Sequence, residues 1–277
     1  GQTVTTDNST NITATVTGLN GRVIGTATAT AIQGIATFDN LGIDGIPGNS
    51  YTITYSSNTG LTSTSESRTF TRGGGGETDT ALLLNGTNQA AEVADFTSSP
   101  FDTTGTFTFE AWVNPSNACP SAGAVISKLS YLVYCASGVW YIMALANGAT
   151  GSGITTTIPV EANEWHHLAF TKNSSSGSIL FYYDGVLVYT VASGVTSMTP
   201  NNQTFQIGRW DNNAAYWFQG EIDEVRIFNN SQRSAAQIQA DLKGYADITD
   251  PTLSAYYDFN ENSGTTVYNR EQGSSST

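Results

Sequence analysis

The sequence predicts an all-β protein built from two domains. Short segments in which apolar and polar residues alternate, such as Thr106 to Val113, recur along most of the chain and are typical of half-buried strands. Turn residues separate these segments, and the chain holds 28 glycines among its 277 residues. Only Ser234 to Lys243 has a helical pattern, which begins on an N-cap residue and ends at Gly244.

The composition limits the partners of the protein. The formal net charge is −13, which argues against nucleic acid and anionic membranes as partners because both are polyanions. No apolar run approaches the roughly 18 residues of a membrane-spanning helix, so we expect no membrane insertion. Threonine, serine, asparagine and glycine are abundant while lysine and arginine are scarce, as in secreted all-β proteins. We expect an extracellular or bacterial cell-surface location, and a piece of a longer chain with neighbouring domains.

The two cysteines, Cys119 and Cys135, lie close together in the sequence. A disulfide that pins a hairpin fits an extracellular protein and would stabilise it by roughly 3 kcal/mol. Two free buried thiols are the alternative. A metal site made of two cysteines alone is not expected.

Residues 1–72 form the first predicted domain. Alternating segments such as Asn11 to Thr17 and Tyr51 to Tyr55, with a hairpin turn at Asn20-Gly21, indicate a small β-sandwich. The segment from Gly34 to Thr71 resembles the Ig-like repeats of bacterial surface proteins, and this resemblance implies a spacer. Gly73 to Gly76 follow as a flexible linker, and residues 77–277 form the second predicted domain.

The second domain contains an ordered set of motifs, of which the hairpin signal at Asp184-Gly185 is the strongest local feature. The motifs are Leu84-Asn-Gly86, Phe107 to Pro115, Trp165 to Ala169, Phe181 to Val186, Ile207-Gly208 and Gly220 to Phe228. As a set they resemble the LamG-like, concanavalin A-like lectin superfamily, especially the LamG-type modules of bacterial surface proteins. The resemblance implies a jelly roll of two packed antiparallel sheets with one short helix.

The stretch from Phe218 to Phe228 holds three acidic residues within four positions. Strand geometry places Glu221 and Asp223 on one face of the strand, and Ile222 and Glu224 on the other. Glu221-Ile-Asp223 resembles the start of the Glu-x-Asp-x-(x)-Glu signature of jelly-roll β-glucanases, whose retaining mechanism needs two carboxyl groups about 5 Å apart. Valine, or arginine if a bulge intervenes, occupies the closing position here. We therefore expect no catalytic residues and no enzyme.

The acidic strand also fits a structural calcium ion, which takes six to eight oxygen ligands. In the family that the chain resembles, such an ion often links the turn after the first strand to the aspartate of the acidic strand. The resemblance therefore implies a Ca²⁺ site formed by Asn85, the backbone around Gly86, and Asp223. The alternative is that Asp223 is hydrogen-bonded by neighbouring backbone or paired with Arg226.

A loop rich in aromatic residues, Arg209 to Trp217, is the candidate ligand-binding segment. Aromatic rings commonly stack on the apolar face of a sugar, while short polar side chains bind its hydroxyl groups. The predicted sugar-binding residues of this loop and of neighbouring hairpins are Trp210, Asp211, Asn212, Tyr216, Trp217, Tyr131 and Asn147, with Tyr134 as a further contributor. For Trp217, packing beneath the loop is the alternative.

Two adjacent histidines, His166 and His167, form the remaining candidate site. Neighbouring residues of a strand point to opposite faces, so these two side chains cannot easily bind one metal ion. We expect structural histidines here. By the same alternation, we expect Trp112 and Trp165 in the core.

These observations favour a non-catalytic, extracellular carbohydrate-binding or adhesion module on an Ig-like spacer, with structural calcium. The expected partner is a polysaccharide or a cell-surface glycan. The alternative is an architectural or protein-binding stalk module of a large multidomain surface protein, since LamG-like modules also act as protein-interaction domains. The two hypotheses differ in whether the aromatic side chains of the loop are open to solvent.

Overall fold

The structure is a computed structural model of the chain, with no ligand or partner. It describes residues 4–271 apart from residues 19–21, 25, 39–40, 45–49, 70–79, 97–98, 129, 145–153, 193–194, 199, 211–215, 243–245 and 262–263. The chain divides into two compact units, residues 1–73 and residues 74–277. The predicted linker Gly73 to Gly76 and the predicted turn Asn20-Gly21 lie outside the described residues.

The described part of the first unit contains six strands and no helix. They are β1 (Asn11–Thr17), β2 (Arg22–Ile24), β3 (Thr28–Thr30), β4 (Gly42–Asp44), β5 (Ser50–Ser57) and β6 (Thr64–Thr69). Four of them form an antiparallel sheet in the order β3-β1-β5-β6, and β2 pairs with β4. Strand β5 alternates as the sequence predicts, because Tyr51 and Ile53 are buried while their neighbours Thr52 and Thr54 are more exposed.

The second unit contains two larger antiparallel sheets. Its elements are β7 (Leu82–Asn85), β8 (Ala91–Val93), β9 (Phe107–Pro115), β10 (Gly123–Lys128), β11 (Tyr131–Ala136), β12 (Val139–Ala144), β13 (Ile154–Pro159), β14 (His166–Lys172), β15 (Ser178–Tyr183), β16 (Val186–Ala192), β17 (Phe205–Ile207), β18 (Gln219–Asn229), α1 (Ala235–Asp241) and β19 (Leu253–Tyr257). The six-stranded sheet has the order β13-β12-β11-β10-β17-β8, and the seven-stranded sheet has the order β16-β15-β14-β9-β18-β19, with β7 paired to β18. This is the jelly-roll arrangement that the sequence predicts.

The main core of the second unit lies between these two sheets. Phe107, Phe109 and Phe170 come from the seven-stranded sheet, and Val133 and Ile142 come from the six-stranded sheet. All five are almost fully buried. Strands such as β9 and β14 contribute alternate residues to this core, as expected for a sheet with one face against its partner.

Helix α1 covers the outer face of the seven-stranded sheet. Ser234 caps the helix through a capping box with Gln237, and Ile238 is fully buried. Ile238 packs against Ala169 and Tyr182, which point away from the main core. The predicted helix is therefore confirmed, although its ordered turns end at Asp241.

A β-bulge in β18 changes the faces of the sheet to which the side chains of the acidic strand point. The pairing of β18 with β9 shifts between Asp223 and Arg226, and Glu224 has a φ of +51°. Ile222 points into the main core, whereas Glu224 contacts Arg226 and accepts a hydrogen bond from Tyr256 at 2.7 Å. The prediction that Glu224 shares a face with Ile222 is wrong, because the extra residue of the bulge reverses the alternation.

The two cysteines form the predicted disulfide. Cys119 precedes β10 and Cys135 lies in β11, and their Cα atoms are 5.8 Å apart. Both residues are buried in the main core. The disulfide thus holds the segment before β10 against the β10–β11 hairpin.

Within the part of the chain that the structure describes, no helix is long and apolar enough to span a membrane.

Candidate functional site

The outer face of the six-stranded sheet carries a group of tyrosines at its centre. In β11, Tyr131 and Val133 point into the main core, so Tyr134 points outward. Tyr141 of β12 is directly opposite Tyr134 in the strand register and also points outward. The two rings stack at a centroid distance of 4.8 Å with an interplanar angle of 19°. Cross-strand alternation thus creates a pair of parallel rings on this face.

Two more aromatic residues reach the same face from the loop between β17 and β18. The ring of Tyr216 lies 5.5 Å from that of Tyr134, and Trp210 meets Tyr216 edge-on at 5.0 Å. The backbone fixes the end of this loop, because Ala124 N–H donates to the Tyr216 carbonyl at 3.3 Å. We call Tyr134, Tyr141, Trp210 and Tyr216 together the aromatic face.

The rings of the aromatic face remain partly open to solvent. Tyr134 is 7% exposed, whereas Tyr141, Trp210 and Tyr216 are half-buried. Burial, with the neighbouring Tyr216 and Tyr141, raises the pKa of Tyr134 to about 12. Its hydroxyl therefore stays neutral at physiological pH and can both donate and accept hydrogen bonds.

A row of polar side chains borders the aromatic face on strands β10, β17 and β8. Ser127 donates to Gln206 at 3.3 Å, and Gln206 donates to Glu92 at 3.1 Å. Glu92 also pairs with Arg209 at 2.9 Å, and the guanidinium of Arg209 lies 4.6 Å from the centroid of the Trp217 ring. The outer face of this sheet therefore combines aromatic rings with hydrogen-bonding groups held in position by one another.

The structure places some of the predicted sugar-binding residues on the aromatic face and one of them in the core. Trp210 and Tyr216 lie on the aromatic face, and Trp217 lies at its polar border. Tyr131 is 2% exposed in the main core, where its hydroxyl donates to the Phe101 carbonyl at 3.1 Å. The prediction for Tyr131 is therefore wrong, since its ring cannot reach a ligand.

Three predicted residues, Asn147, Asp211 and Asn212, lie outside the described residues. The structure adds Tyr141, which the sequence reasoning treated only as part of a strand. The sequence could have identified Tyr141. Its neighbours Trp140 and Ile142 are apolar and bury the core face of the strand, so Tyr141 must point outward.

The residues predicted to share a calcium ion lie too far apart to do so. Asn85 is opposite Gln219 in the register of β7 and β18, four residues before Asp223. Four residues of a strand span about 13 Å, more than two short side chains with Ca–O bonds of about 2.4 Å can bridge. The prediction of one ion held by Asn85, Gly86 and Asp223 is wrong, because β7, the first strand of the second unit, pairs with the beginning of β18.

Each of these residues has a local role instead. The side-chain oxygen of Asn85 accepts hydrogen bonds from Thr87 N–H at 3.0 Å and Asn88 N–H at 3.2 Å, which forms the turn around Gly86. Asp223 is buried and accepts a hydrogen bond from Glu224 N–H at 2.7 Å. This backbone contact is one of the alternatives that the sequence left open for Asp223.

A buried network of charges lies beneath helix α1 on the outer face of the seven-stranded sheet. Glu110 is completely buried, with Arg233 at 3.5 Å and Arg226 at 3.9 Å from its carboxylate. Burial raises the pKa of Glu110 to about 7, against the lowering effect of the two arginines. Burial and the neighbouring Glu110 also raise the pKa of Asp241 to about 6. Because Glu110 has no access to solvent, we interpret the network as structural.

The two histidines point to opposite faces of β14, as predicted. His167 joins the buried network, with its Nε2 atom 3.5 Å from Glu110. His166 lies at the start of the strand beside Tyr183, and the two rings are 4.6 Å apart. Trp112 is buried, as predicted, but it lies on the outer face of the sheet, where its ring contacts that of His167.

The comparison with protein families matches the second unit. The profile of the family Laminin_G_3, of the concanavalin A-like lectin/glucanases superfamily, matches residues 85–239, which is more than half of the chain. The chain belongs to this superfamily. The matched residues of this concanavalin A-like domain run from the end of β7 into helix α1. A search of the curated proteins finds no match.

Solved structures resemble this chain over different shares of its length. A candidate carbohydrate binding protein from Bacteroides ovatus ATCC 8483 is 16% identical with a TM-score of 0.56, and the match covers 95% of this chain and 84% of that one. Domain 4 of the extracellular arabinanase AbnA from Geobacillus stearothermophilus, solved with arabinotriose, is 19% identical with a TM-score of 0.45 over 59% and 76% of the two chains. The CBM40 module of the Ruminococcus gnavus IT-sialidase, bound to α2,3-sialyllactose, is 12% identical with a TM-score of 0.44 over 57% and 97%.

Proposed function

We propose that the concanavalin A-like domain binds a carbohydrate on the outer face of its six-stranded sheet. The observation that carries this proposal is the aromatic face, where Tyr134, Tyr141, Trp210 and Tyr216 lie together and three of the four rings are half-buried. Rings in such a position can stack on the apolar face of a sugar, while their hydroxyl and indole N–H groups bind its hydroxyl groups.

The polar border supports a carbohydrate rather than an apolar ligand. Glu92, Gln206 and Arg209 already hold one another by hydrogen bonds, so their side chains are oriented before a ligand arrives. Such preorganisation lowers the entropy cost of binding. A saccharide that lies along the sheet would meet aromatic rings over β11 and β12 and polar groups over β17 and β8.

We propose a non-catalytic role because the carboxylates of the acidic strand are used elsewhere. Asp223 and Glu224 are both buried in the seven-stranded sheet, whereas the aromatic face is on the other sheet. Glu221 accepts a hydrogen bond from the Asn114 amide at 2.8 Å. We therefore expect reducing-sugar assays on β-glucans to show no product.

The proposed setting is an adhesion module outside the cell or on a bacterial surface. In this proposal the first unit serves as an Ig-like spacer that carries the concanavalin A-like domain away from its point of attachment. The disulfide between Cys119 and Cys135 supports an extracellular location, since disulfides persist in oxidising compartments. Calcium dependence stays a prediction, and adding a chelator to the binding assay described below tests it.

A glycan array followed by calorimetric titration of each positive polysaccharide tests the proposal. Tyr141→Ala and Trp210→Ala are each expected to weaken binding about tenfold or more, since a lost stacking ring costs at least about 1.4 kcal/mol. Tyr268→Ala is the matched control, because Tyr268 is an exposed tyrosine in the segment that the N–H of Arg270 attaches to Tyr256 of β19, a strand of the seven-stranded sheet. Its affinity should equal that of the unchanged protein.

Two results would contradict the proposal. The first is silence of the folded protein across a broad panel of polysaccharides, with and without Ca²⁺. The second is glycan binding that neither Tyr141→Ala nor Trp210→Ala weakens. Capture of a protein ligand that both variants abolish would instead favour the protein-binding stalk.

A further inference from the structure

Three potential metal ligands converge at the start of β14, away from the aromatic face. They are Glu161 and Glu164, in the loop after β13, and His166, the first residue of β14. Their ligand atoms all lie within 4.8 Å of one another. The Nε2 atom of His166 is 3.1 Å from Glu161 Oε2 and 3.9 Å from Glu164 Oε2.

The imidazole of His166 is held so that Nε2 faces the two carboxylates. Its Nδ1 atom lies 2.9 Å from Asp184 Oδ2, and the other oxygen of Asp184 accepts the backbone N–H of His167 at 2.9 Å. When Nδ1 carries the proton and donates it to Asp184, the lone pair of Nε2 points at the two glutamates, as in the carboxylate–histidine pairs of metal sites. Stacking against Tyr183 further restricts the ring.

The Nε2 atom of His166 has no satisfied polar role within the described part of the chain. The side chain is 1% exposed, and Nε2 is buried without a hydrogen bond. Glu161 is close enough for an ion pair but is not aligned as a hydrogen-bond partner. A buried polar atom left in this state costs free energy, and a ligand at this point would remove the cost.

We propose that Glu161, Glu164 and His166 bind a divalent transition-metal ion, of which Zn²⁺ fits best. In a tetrahedral zinc site with bonds of about 2.1 Å, neighbouring ligand atoms are about 3.4 Å apart. The two distances from Nε2, 3.1 and 3.9 Å, lie on either side of this value. The ligand oxygens of the two glutamates lie within 4.8 Å of each other, so rotation of these exposed side chains would complete the tetrahedral spacing.

The ligand types separate this site from a calcium site. Imidazole nitrogen suits zinc and its neighbours in the first transition row, whereas Ca²⁺ prefers a shell of oxygen ligands alone. The side chains of Glu161 and Glu164 are 51% and 59% exposed. The site is thus open to solvent on one side, and water would complete the coordination of the ion.

The backbone holds the loop that carries the two glutamates. Asn163 N–H donates to the Pro115 carbonyl at 2.7 Å, and Val160 N–H donates to the Gly138 carbonyl at 2.9 Å. These bonds attach the loop to both sheets, since Pro115 ends β9 and Gly138 lies between β11 and β12. An ion at this point would bind a loop that already has nearly the required shape, and would tie it more firmly to β14.

The test uses the full chain after treatment with a chelator and dialysis, titrated with ZnCl₂ by calorimetry. We expect one Zn²⁺ per chain, with no competition from millimolar CaCl₂. Glu161→Gln and Glu164→Gln change exposed side chains and should leave folding intact, yet each should weaken Zn²⁺ binding at least about tenfold. Glu92→Gln, an exposed glutamate of the other sheet, is the control and should bind Zn²⁺ unchanged.

Imidazole nitrogen spectra identify the ligand atom. On addition of Zn²⁺, the ¹⁵N resonance of His166 Nε2 should shift while both nitrogens of His167 remain unaffected. Two outcomes would overturn the proposal. Either the folded chain takes up no stoichiometric Zn²⁺, which would make the cluster an ion pair only, or it binds Zn²⁺ equally well in both glutamine variants. Neither outcome bears on the proposed carbohydrate site, which is on a different face.

Discussion

Replacement of Glu110 by glutamine is expected to remove a pH dependence from the stability of the second unit. Burial raises the pKa of Glu110 from its ordinary value of 4.5 to about 7, although Arg226 and Arg233 act against this. The folded protein therefore binds a proton at Glu110 more tightly than the unfolded chain does. Its contribution to stability is fully present below pH 4.5 and is lost as the pH rises through 7.

The size of this effect follows from the two pKa values. A rise from 4.5 to about 7 corresponds to about 3 kcal/mol of unfolding free energy between pH 4.5 and pH 8. The other titratable or charged groups that face Glu110 are His167, Arg226, Arg233 and Asp241. The pKa of Asp241 is raised to about 6, in part by Glu110, so its own contribution has the same sign and falls when Glu110 is neutral.

Urea denaturation followed by tryptophan fluorescence measures this effect in the second unit alone. All five tryptophans of the chain lie after residue 77. We expect the unfolding free energy of the unchanged protein to increase from pH 8 to pH 4.5. Glu110→Gln should give a much flatter profile, with stability at pH 8 equal to or above that of the unchanged protein. The range ends at pH 4.5 because carboxylates with lowered pKa, such as Asp247 beside the hydroxyl of Thr249, act in the opposite direction below it.

Two results would refute this reasoning. One is a glutamine variant that keeps the full pH dependence, which would assign the titration to other groups. The other is a variant that is several kcal/mol less stable than the unchanged protein at pH 8. That loss would mean that the ionised carboxylate stabilises its two arginines more than burial destabilises it.

Two further changes test the packing of the second unit. The disulfide between Cys119 and Cys135 closes a loop with a sequence separation of 16. Its reduction should lower the unfolding free energy of the second unit by about 3 kcal/mol. A second unit that is equally stable in reductant would contradict this prediction. Gly220→Ala should destabilise by about 3 kcal/mol or more, because the new Cβ atom would collide with the carbonyl oxygen of Asn114. Gly264→Ala is its control in differential scanning calorimetry, since Gly264 also has a positive φ but faces open space; equal effects would show that strain, not collision, decides.

Local patterns in the sequence predicted the elements whose form depends on neighbouring residues. The Asp184-Gly185 turn is present, with φ values of +50° and +73°, the positive values that a type I′ hairpin turn requires at both central positions. Helix α1 begins after Ser234 because the capping signal is complete within four residues. Such features need no information from the other sheet.

Features that depend on the partner strand were not predictable in this way. The bulge at Glu224 arises where β18 pairs with β9, and no turn residue in the sequence marks it. Trp112 is buried as the alternation predicts, yet it packs on the outer face of the sheet, while Ala111 and Val113 face the main core. Which set of alternating residues faces the partner sheet depends on packing across the whole domain.

In the candidate site, too, the sequence alone could not show which side chains of a strand face outward. Tyr131 and Tyr134 are three positions apart in one strand, so the two side chains must point to opposite faces. The sequence could therefore exclude that both bind one ligand, but it could not decide between them. Cys135 decides the matter in the structure, since its disulfide to Cys119 lies in the core and places Tyr131 on the same side.

The two outer faces of the concanavalin A-like domain differ because one of them is covered. Beneath helix α1, charged groups such as Glu110 and Arg226 are removed from water and must be paired, which makes that face suitable for structure rather than for binding. On the six-stranded sheet, Tyr141 and Trp210 remain half-buried and gain only part of the free energy that full burial of their rings would provide. A ligand that covers these rings would supply the remainder. The face that the helix leaves open could therefore supply free energy for the proposed carbohydrate binding.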